Sequence, residues 1–209
     1  HLLTRAIMDG KTGENIIVSI EKQFQLQTSR IIDKHYQVLS QNEILNAAAI
    51  VIDVKTGQTL SYVGNTDTKQ NESGKEVDII TANRSTGSTL KPILYALMQK
   101  DGMILPKTLI ADIPTHIAGY APKNFNKTYA GAVPANNALA RSLNIPAVRM
   151  LKDYGLERFH DNLKNLELTT FTKSANHYGL SIILGGGETT LWELSGLYAS
   201  LARILNNFP

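Results

Sequence analysis

Residues 84–92 read Arg84-Ser85-Thr86-Gly87-Ser88-Thr89-Leu90-Lys91-Pro92. Behind them Leu90, Leu94, Tyr95, Leu97 and Met98 recur at helical spacing until Asp101-Gly102 closes the run. The pattern predicts a helix from Ser88 to Lys100, with a lysine three residues after its first serine. A serine hydroxyl is a weak nucleophile until a base takes its proton. A lysine at i+3 shares its helix face, and burial that lowers the ammonium pKa lets the free amine act as that base. The helix N-terminus favours negative charge developing at Ser88, and Gly87 permits close approach of backbone and ligand.

Outward from this segment, Ala47 to Val54 is an apolar, β-branched run, Lys55-Thr56-Gly57 turns, and Thr59 to Val63 returns, the punctuation of a hairpin. Residues 14–20 (ENIIVSI) read as a short strand, and Ile20, Phe24, Ile31, His35 and Val38 mark a helix after it. Gly64 to Asp78 is polar and aperiodic, hence a loop. Residues 105–133 carry five prolines or glycines and read as an extended loop. Helices follow from Pro134 to Arg141, Pro146 to Tyr154, 156–166 and Thr190 to Leu205, the last after Gly185-Gly186-Gly187. A hairpin followed by a helical insertion is α+β logic: part of an antiparallel sheet with a helical lobe and a cleft between them.

Composition narrows the chemistry. With 209 residues, 43% hydrophobic and 19% charged, the chain can bury a core. A net charge of +3 is too small to imply nucleic acid. There is no cysteine, so thiol catalysis, disulfides and thiolate metal sites are excluded. The five histidines lack metal-ligand spacing, and no glycine-rich phosphate loop is present. Neither a metal nor a cofactor is expected. The longest apolar stretch, Ala47 to Ile52, is far too short to span a membrane, and no signal-peptide pattern opens the sequence.

The serine-x-x-lysine spacing is weak alone. Twelve serines and fourteen lysines give about 0.8 such pairs by chance, and the sequence has two, Ser88/Lys91 and Ser19/Lys22. Serine-x-asparagine occurs at Ser40/Asn42, Ser142/Asn144 and Ser174/Asn176; lysine-threonine-glycine occurs at 11–13 and 55–57. Ser19/Lys22, Ser40/Asn42 and Lys55-Thr56-Gly57 stand in an order a serine acyl-enzyme could use. Their spacing is against them, because Lys22 to Ser40 is one helix and leaves no lobe to return a second motif to the nucleophile. Ser88/Lys91 and Ser142/Asn144 are separated by enough chain to build one. Structural roles compete at each position. Ser88 can cap a helix, Lys91 can be a solvated helix lysine, Ser142 and Asn144 can cap the junction before Pro146, and Trp192 reads as core.

The flanks carry a family resemblance. The 84–92 segment resembles the active-serine segment of bifunctional (class A) penicillin-binding proteins. Ala140-Arg141-Ser142-Leu143-Asn144-Ile145-Pro146-Ala147-Val148 is similar to their second motif. Tyr120 to Phe125 with Gly131-Ala132-Val133 resembles the approach to it, and Leu184 to Ala199 the helix beyond. The resemblance spans about residues 14–207. It implies an incomplete penicillin-binding-protein/serine β-lactamase-like transpeptidase fold, α+β, with residues 1–46 as linker strand and helix and 47–209 as the N-terminal part of the transpeptidase domain. It implies catalytic roles for Ser88 (acylated), Lys91 (base), Ser142 (proton relay to the leaving amine) and Asn144 (holding the substrate amide and ordering the site). Gly87 and Asn124 would lie against substrate, and the Ser88 N–H would supply half of an oxyanion hole; for Arg84 and Asn124, substrate contact competes with surface or loop-packing roles.

The implied partners are peptidoglycan stem peptides and β-lactam antibiotics. Membrane attachment would come only through a preceding part of the parent protein, at the periplasmic face of the bacterial inner membrane, with no nucleic acid. The family's lysine-threonine-glycine strand has no counterpart after Asn144, so the expectation is an inactive fragment of an active parent. A non-catalytic penicillin sensor or scaffold, a serine β-lactamase or D,D-carboxypeptidase, and an unrelated binding domain are the rival readings.

Overall fold

The computed structural model describes residues 1–13, 15–66, 74, 76–117 and 119–207. In chain order its elements are α1 (Leu2–Met8), α2 (Lys22–Leu39), β1 (Ala49–Ile52), β2 (Thr59–Val63), β3 (Arg84–Ser85), α3 (Lys91–Lys100), β4 (Leu109–Asp112) and β5 (Gly131–Pro134). Then come α4 (Ala135–Ala140), α5 (Asn144–Tyr154), α6 (Leu156–Asn165), α7 (Ala175–Tyr178), β6 (Glu188–Thr189) and α8 (Leu191–Asn206). The chain divides into two compact units, His1–Asn83 with Thr190–Pro209, and Arg84–Thr189.

In the first unit the predicted hairpin is present. β1 and β2 pair antiparallel from Ala49↔Val63 to Val51↔Ser61, with a bulge before Ile52↔Thr59. Asp53 turns the chain by accepting the N–H groups of Lys55 and Thr56 at 2.7 and 3.3 Å. α2 lies along β2. There the Gln25 amide mimics a neighbouring strand, accepting from the Tyr62 N–H at 2.8 Å and donating to the Tyr62 carbonyl at 3.1 Å. α8 packs on β1 and is capped by Thr190, whose hydroxyl accepts the Glu193 N–H at 3.0 Å.

Three expectations change here. Residues 15–20 form no named strand, and Glu14 lies outside the described residues. α1 has no counterpart among the sequence expectations: at seven residues its apolar spacing, Leu3 with Ile7, spans a single turn and does not repeat, and it buries no side chain. Trp192 is 40% exposed rather than core, its ring lying 4.4 Å beneath the Arg5 guanidinium and near Tyr62. The Gly64–Asp78 loop lies largely outside the described residues.

The second unit is built around α5. Ile145, Ala147, Val148, Met150 and Leu151 are buried there, packed on α3, α4, α6 and β4. Residues 105–133 are the largest correction, because they take part in a two-stranded antiparallel ladder, from Leu109↔Pro134 to Asp112↔Gly131. Each strand is only four residues and ends in Asp or Pro, too short to show an alternating period. Every sheet among the described residues has two strands: β1-β2, β3-β6 and β4-β5. No helix among them is long and apolar enough to cross a membrane.

Candidate active site

The serine segment is held from behind by the triple glycine. β3 pairs with β6, and the Thr86 N–H donates to the Gly187 carbonyl at 3.1 Å, while the Ser85 hydroxyl donates to the Gly185 carbonyl at 2.8 Å. The approach is close enough to forbid side chains. A Cβ on Gly185 would lie 2.9 Å from Gly87 Cα, and one on Gly187 would lie 2.4 Å from the Phe171 ring. Gly87 itself has φ +52°, in the left-handed region, and directs the chain into a tight turn.

The helix begins later than the periodicity predicts. α3 starts at Lys91, and residues 87–90 form turns in which the Lys91 N–H donates to the Ser88 carbonyl at 3.2 Å. An i to i+3 bond closes a tight turn. Ser88 and Lys91 therefore stay within one turn of each other, although the Lys91 amine bonds to Ser142 and Asn144 rather than to Ser88. Ser88 is exposed; Lys91 is 2% exposed.

The second motif is positioned by a helix ending. α4 closes with paired bonds, Ser142 N–H to Leu139 O at 2.8 Å and Leu143 N–H to Ala138 O at 3.0 Å. Leu143 and Ala138 are packed in one buried cluster. This ending calls for a left-handed residue just past the helix, usually glycine. Ser142 occupies it with φ +51°, a conformation that costs a serine about 1–2 kcal/mol. The geometry aims both Ser142 oxygens at α3.

The two motifs meet at one atom. Lys91 Nζ donates to the Ser142 carbonyl at 2.8 Å and to Asn144 Oδ1 at 2.7 Å, and lies 3.3 Å from Ser142 Oγ. Burial lowers the Lys91 pKa from 10.5 to about 8. Of its three partners, two are carbonyl-type oxygens that only accept, and one is a hydroxyl that accepts or donates. A protonated amine gives its three hydrogens to all three. A neutral amine keeps the two carbonyl bonds and turns its lone pair to a hydroxyl hydrogen. Loss of the proton therefore leaves no partner unsatisfied, and the centre can take up and release a proton near neutral pH.

Asn144 donates its Nδ2 to the Lys123 carbonyl at 2.9 Å. Asn124, expected to touch substrate, is 3% exposed, and its Oδ1 accepts the N–H groups of Asn144 and Ile145 at 3.0 and 3.3 Å. It caps α5 from outside the helix. Asp112, which no motif singles out, lies behind Asn124, hidden in the ladder read as loop. Among the described residues no histidine and carboxylate cluster could hold a metal.

Residues 47–200 match the family model described as penicillin binding protein transpeptidase domain. The chain belongs to this family. Its resemblance to class A penicillin-binding proteins extends to individual relatives. It is 36% identical to penicillin-binding protein 1C of Escherichia coli (strain K12) over 75% of this chain and 20% of that protein. It is 29% identical to penicillin-binding protein 1A of Neisseria cinerea over 79% of this chain and 21% of that protein. The chain thus spans about a fifth of the length of the curated relatives it matches. Among solved structures, penicillin-binding protein PonA1 of Mycobacterium tuberculosis shares the fold, with a TM-score of 0.76 at 19% identity, covering 95% of this chain and 54% of that one. The same protein has been solved in complex with penicillin V, and there the TM-score is 0.73 at 18% identity, covering 96% and 55%. The expected α+β penicillin-binding-protein transpeptidase fold is borne out.

Proposed function

We propose that this transpeptidase-family chain carries the nucleophile side of a peptidoglycan D,D-transpeptidase, with Ser88 as the acylated residue. The observation that carries the reading is the buried Lys91 amine, joined to Ser142 and Asn144 one turn from an exposed serine. Lys91, neutral, takes the Ser88 hydroxyl proton as the oxygen attacks the carbonyl of a D-Ala-D-Ala stem. The Ser88 N–H supplies one donor to the oxyanion. Ser142 passes a proton to the leaving D-alanine nitrogen, and Asn144 keeps the lysine in register. An amine of a neighbouring stem peptide then attacks the ester, forming the cross-link and returning the proton to the site. A β-lactam opens its ring on the same serine and leaves slowly. Gly87 lets ligand approach the backbone, and Asn124 acts by positioning α5.

The reaction belongs outside the bacterial cytoplasmic membrane, where stem peptides are. Fluorescent penicillin should label the full-length protein on the peptide containing Ser88, and the protein should cross-link lipid-linked precursor. Label without cross-linking under any condition contradicts the transpeptidase half and leaves a penicillin sensor. As 209 isolated residues the chain has no lysine-threonine-glycine after Asn144, so we expect no appreciable turnover from it. In the family the lysine-threonine-glycine strand would supply the second oxyanion donor, whose loss alone is worth about 2.7–4 kcal/mol. Cross-linking or D-alanine release by the isolated chain overturns that expectation.

A further inference from the structure

Behind the site, Asp112 and Asn124 fix each other's orientation, and Asn124 in turn holds the backbone of Asn144. Asp112 ends β4 at 1% exposure, and both its oxygens accept: Oδ2 from the Ala130 N–H at 2.9 Å, Oδ1 from Asn124 Nδ2 at 2.7 Å. The second Asn124 Nδ2 hydrogen goes to the Thr128 carbonyl at 2.9 Å. An amide can be turned end for end only if its neighbours tolerate either end, and two acceptors tolerate only the NH2. Asn124 Oδ1 is therefore forced toward α5, where Leu143, the residue before the helix, offers no side-chain cap. It meets two N–H groups there, so all four hydrogen-bonding positions of the Asn124 amide are filled. At Asn144 the Lys123 carbonyl claims the NH2, which forces Oδ1 onto Lys91 Nζ.

We infer that Asp112 is a positioning residue for Lys91, acting through Asn124 to fix the start of α5 and so the place from which Asn144 meets the amine. The relay runs from carboxylate to amide to helix terminus, which places Asn144, while the Lys123 carbonyl selects the end of the Asn144 amide that meets the amine. A buried carboxylate is costly to keep unless its acceptors are used, and here both are. Its removal leaves the Asn124 NH2 with the Thr128 carbonyl as its one acceptor, so the amide that holds the start of α5 is less firmly fixed. The start of α5 then shifts, and a displacement of about 1 Å at a reacting group is worth about a hundredfold in rate.

The inference rests on the reading that Ser88 is acylated, and its test separates the two. In the full-length protein, the acylation rate with fluorescent penicillin is measured from pH 6.5 to 10 for wild type, Asp112→Asn, and Asp112→Asn with Asn124→Asp. Asp112→Asn should acylate about tenfold to a hundredfold more slowly. The pH at which its rate rises should also fall, because the protonated amine loses an acceptor. The double variant exchanges donor and acceptor: the amide now at position 112 donates to the carboxylate now at position 124, whose free oxygen still accepts from α5. It should regain at least a third of the lost rate, with recovery incomplete because the Thr128 carbonyl loses its donor. A folded Asp112→Asn with wild-type rate and pH profile overturns the inference, as does a double variant no better than the single, or one that fails to fold. If wild type takes no label, the functional reading fails, and a carbon-13 NMR titration of Lys91 decides the positioning role. A lower Lys91 pKa in Asp112→Asn supports it; an unchanged one overturns it.

Discussion

Two regions of this molecule carry serine-x-x-lysine followed by serine-x-asparagine. In the first, Ser19 donates its hydroxyl to the Thr59 carbonyl at 2.7 Å, Lys22 is exposed at the start of α2, and Ser40 lies at the far end of that helix. In the second, the lysine is 2% exposed and its amine reaches both residues of the second motif. The spelling is the same in both. The difference lies in what surrounds the amine: an exposed ammonium remains a solvated charge, whereas a desolvated one with fixed neutral partners becomes a proton acceptor.

Substitutions can break this contrast, and the largest effect should come from the serines. Ser88→Ala should abolish penicillin labelling of the full-length protein on a gel, while Ser19→Ala leaves it at the wild-type level; labelling retained in Ser88→Ala would require another nucleophile. Next, Lys91→Ala should slow acylation at pH 8 by about 10²–10⁴-fold, the usual worth of a general base, and Lys22→Ala should not slow it. A comparable slowing by both would erase the contrast.

A thermodynamic difference follows from the same burial. Lys91 titrates at about 8 in the folded chain against 10.5 ordinarily. Between those values the unfolded chain binds more protons than the folded one, so stability rises with pH across that window. The gain is up to about 3 kcal/mol, and the burial penalty is fully present below pH 8. Denaturant titrations should show wild type gaining stability relative to Lys91→Met from pH 8 to 10.5. Parallel curves for the two proteins would contradict the assigned shift. The smallest effect concerns Ser142, whose left-handed backbone suits glycine. Ser142→Gly should stabilise the fold by about 0.5–1 kcal/mol relative to Ser142→Ala, with acylation slowed in both. Equal stability of the two would remove strain from the account.

The apolar periodicities of α2, α3, α5, α6 and α8 are legible in the sequence, as is the β1-β2 hairpin, because each element is long enough for its period to repeat or ends in clear turn residues. The pairing of Lys91 with Ser142 and Asn144 is legible only through the flanks of both motifs, since the spacings themselves recur by chance. Asp112 is not legible. It sits in a four-residue strand among turn formers, and its importance comes from contacts with Asn124 and Ala130 that local sequence does not encode. Asn124 is legible as a polar residue on the approach to the second motif, which suggests ligand contact. Its burial and its bonds to the start of α5 are not legible, because they depend on a ladder that brings Asp112 behind it. The helix start at Ser88 is early by three residues, because an i to i+3 turn and the first turn of a helix share their residue preferences.

The most direct test is the pH dependence of Ser88 acylation by a β-lactam in the full-length protein, compared with Lys91→Ala. The wild-type rate should climb with a single apparent pKa near 8, and the variant should show a slow, flat profile. The same climb near pH 8 in Lys91→Ala would mean that another group takes the proton, and would contradict the assignment of Lys91 as the base.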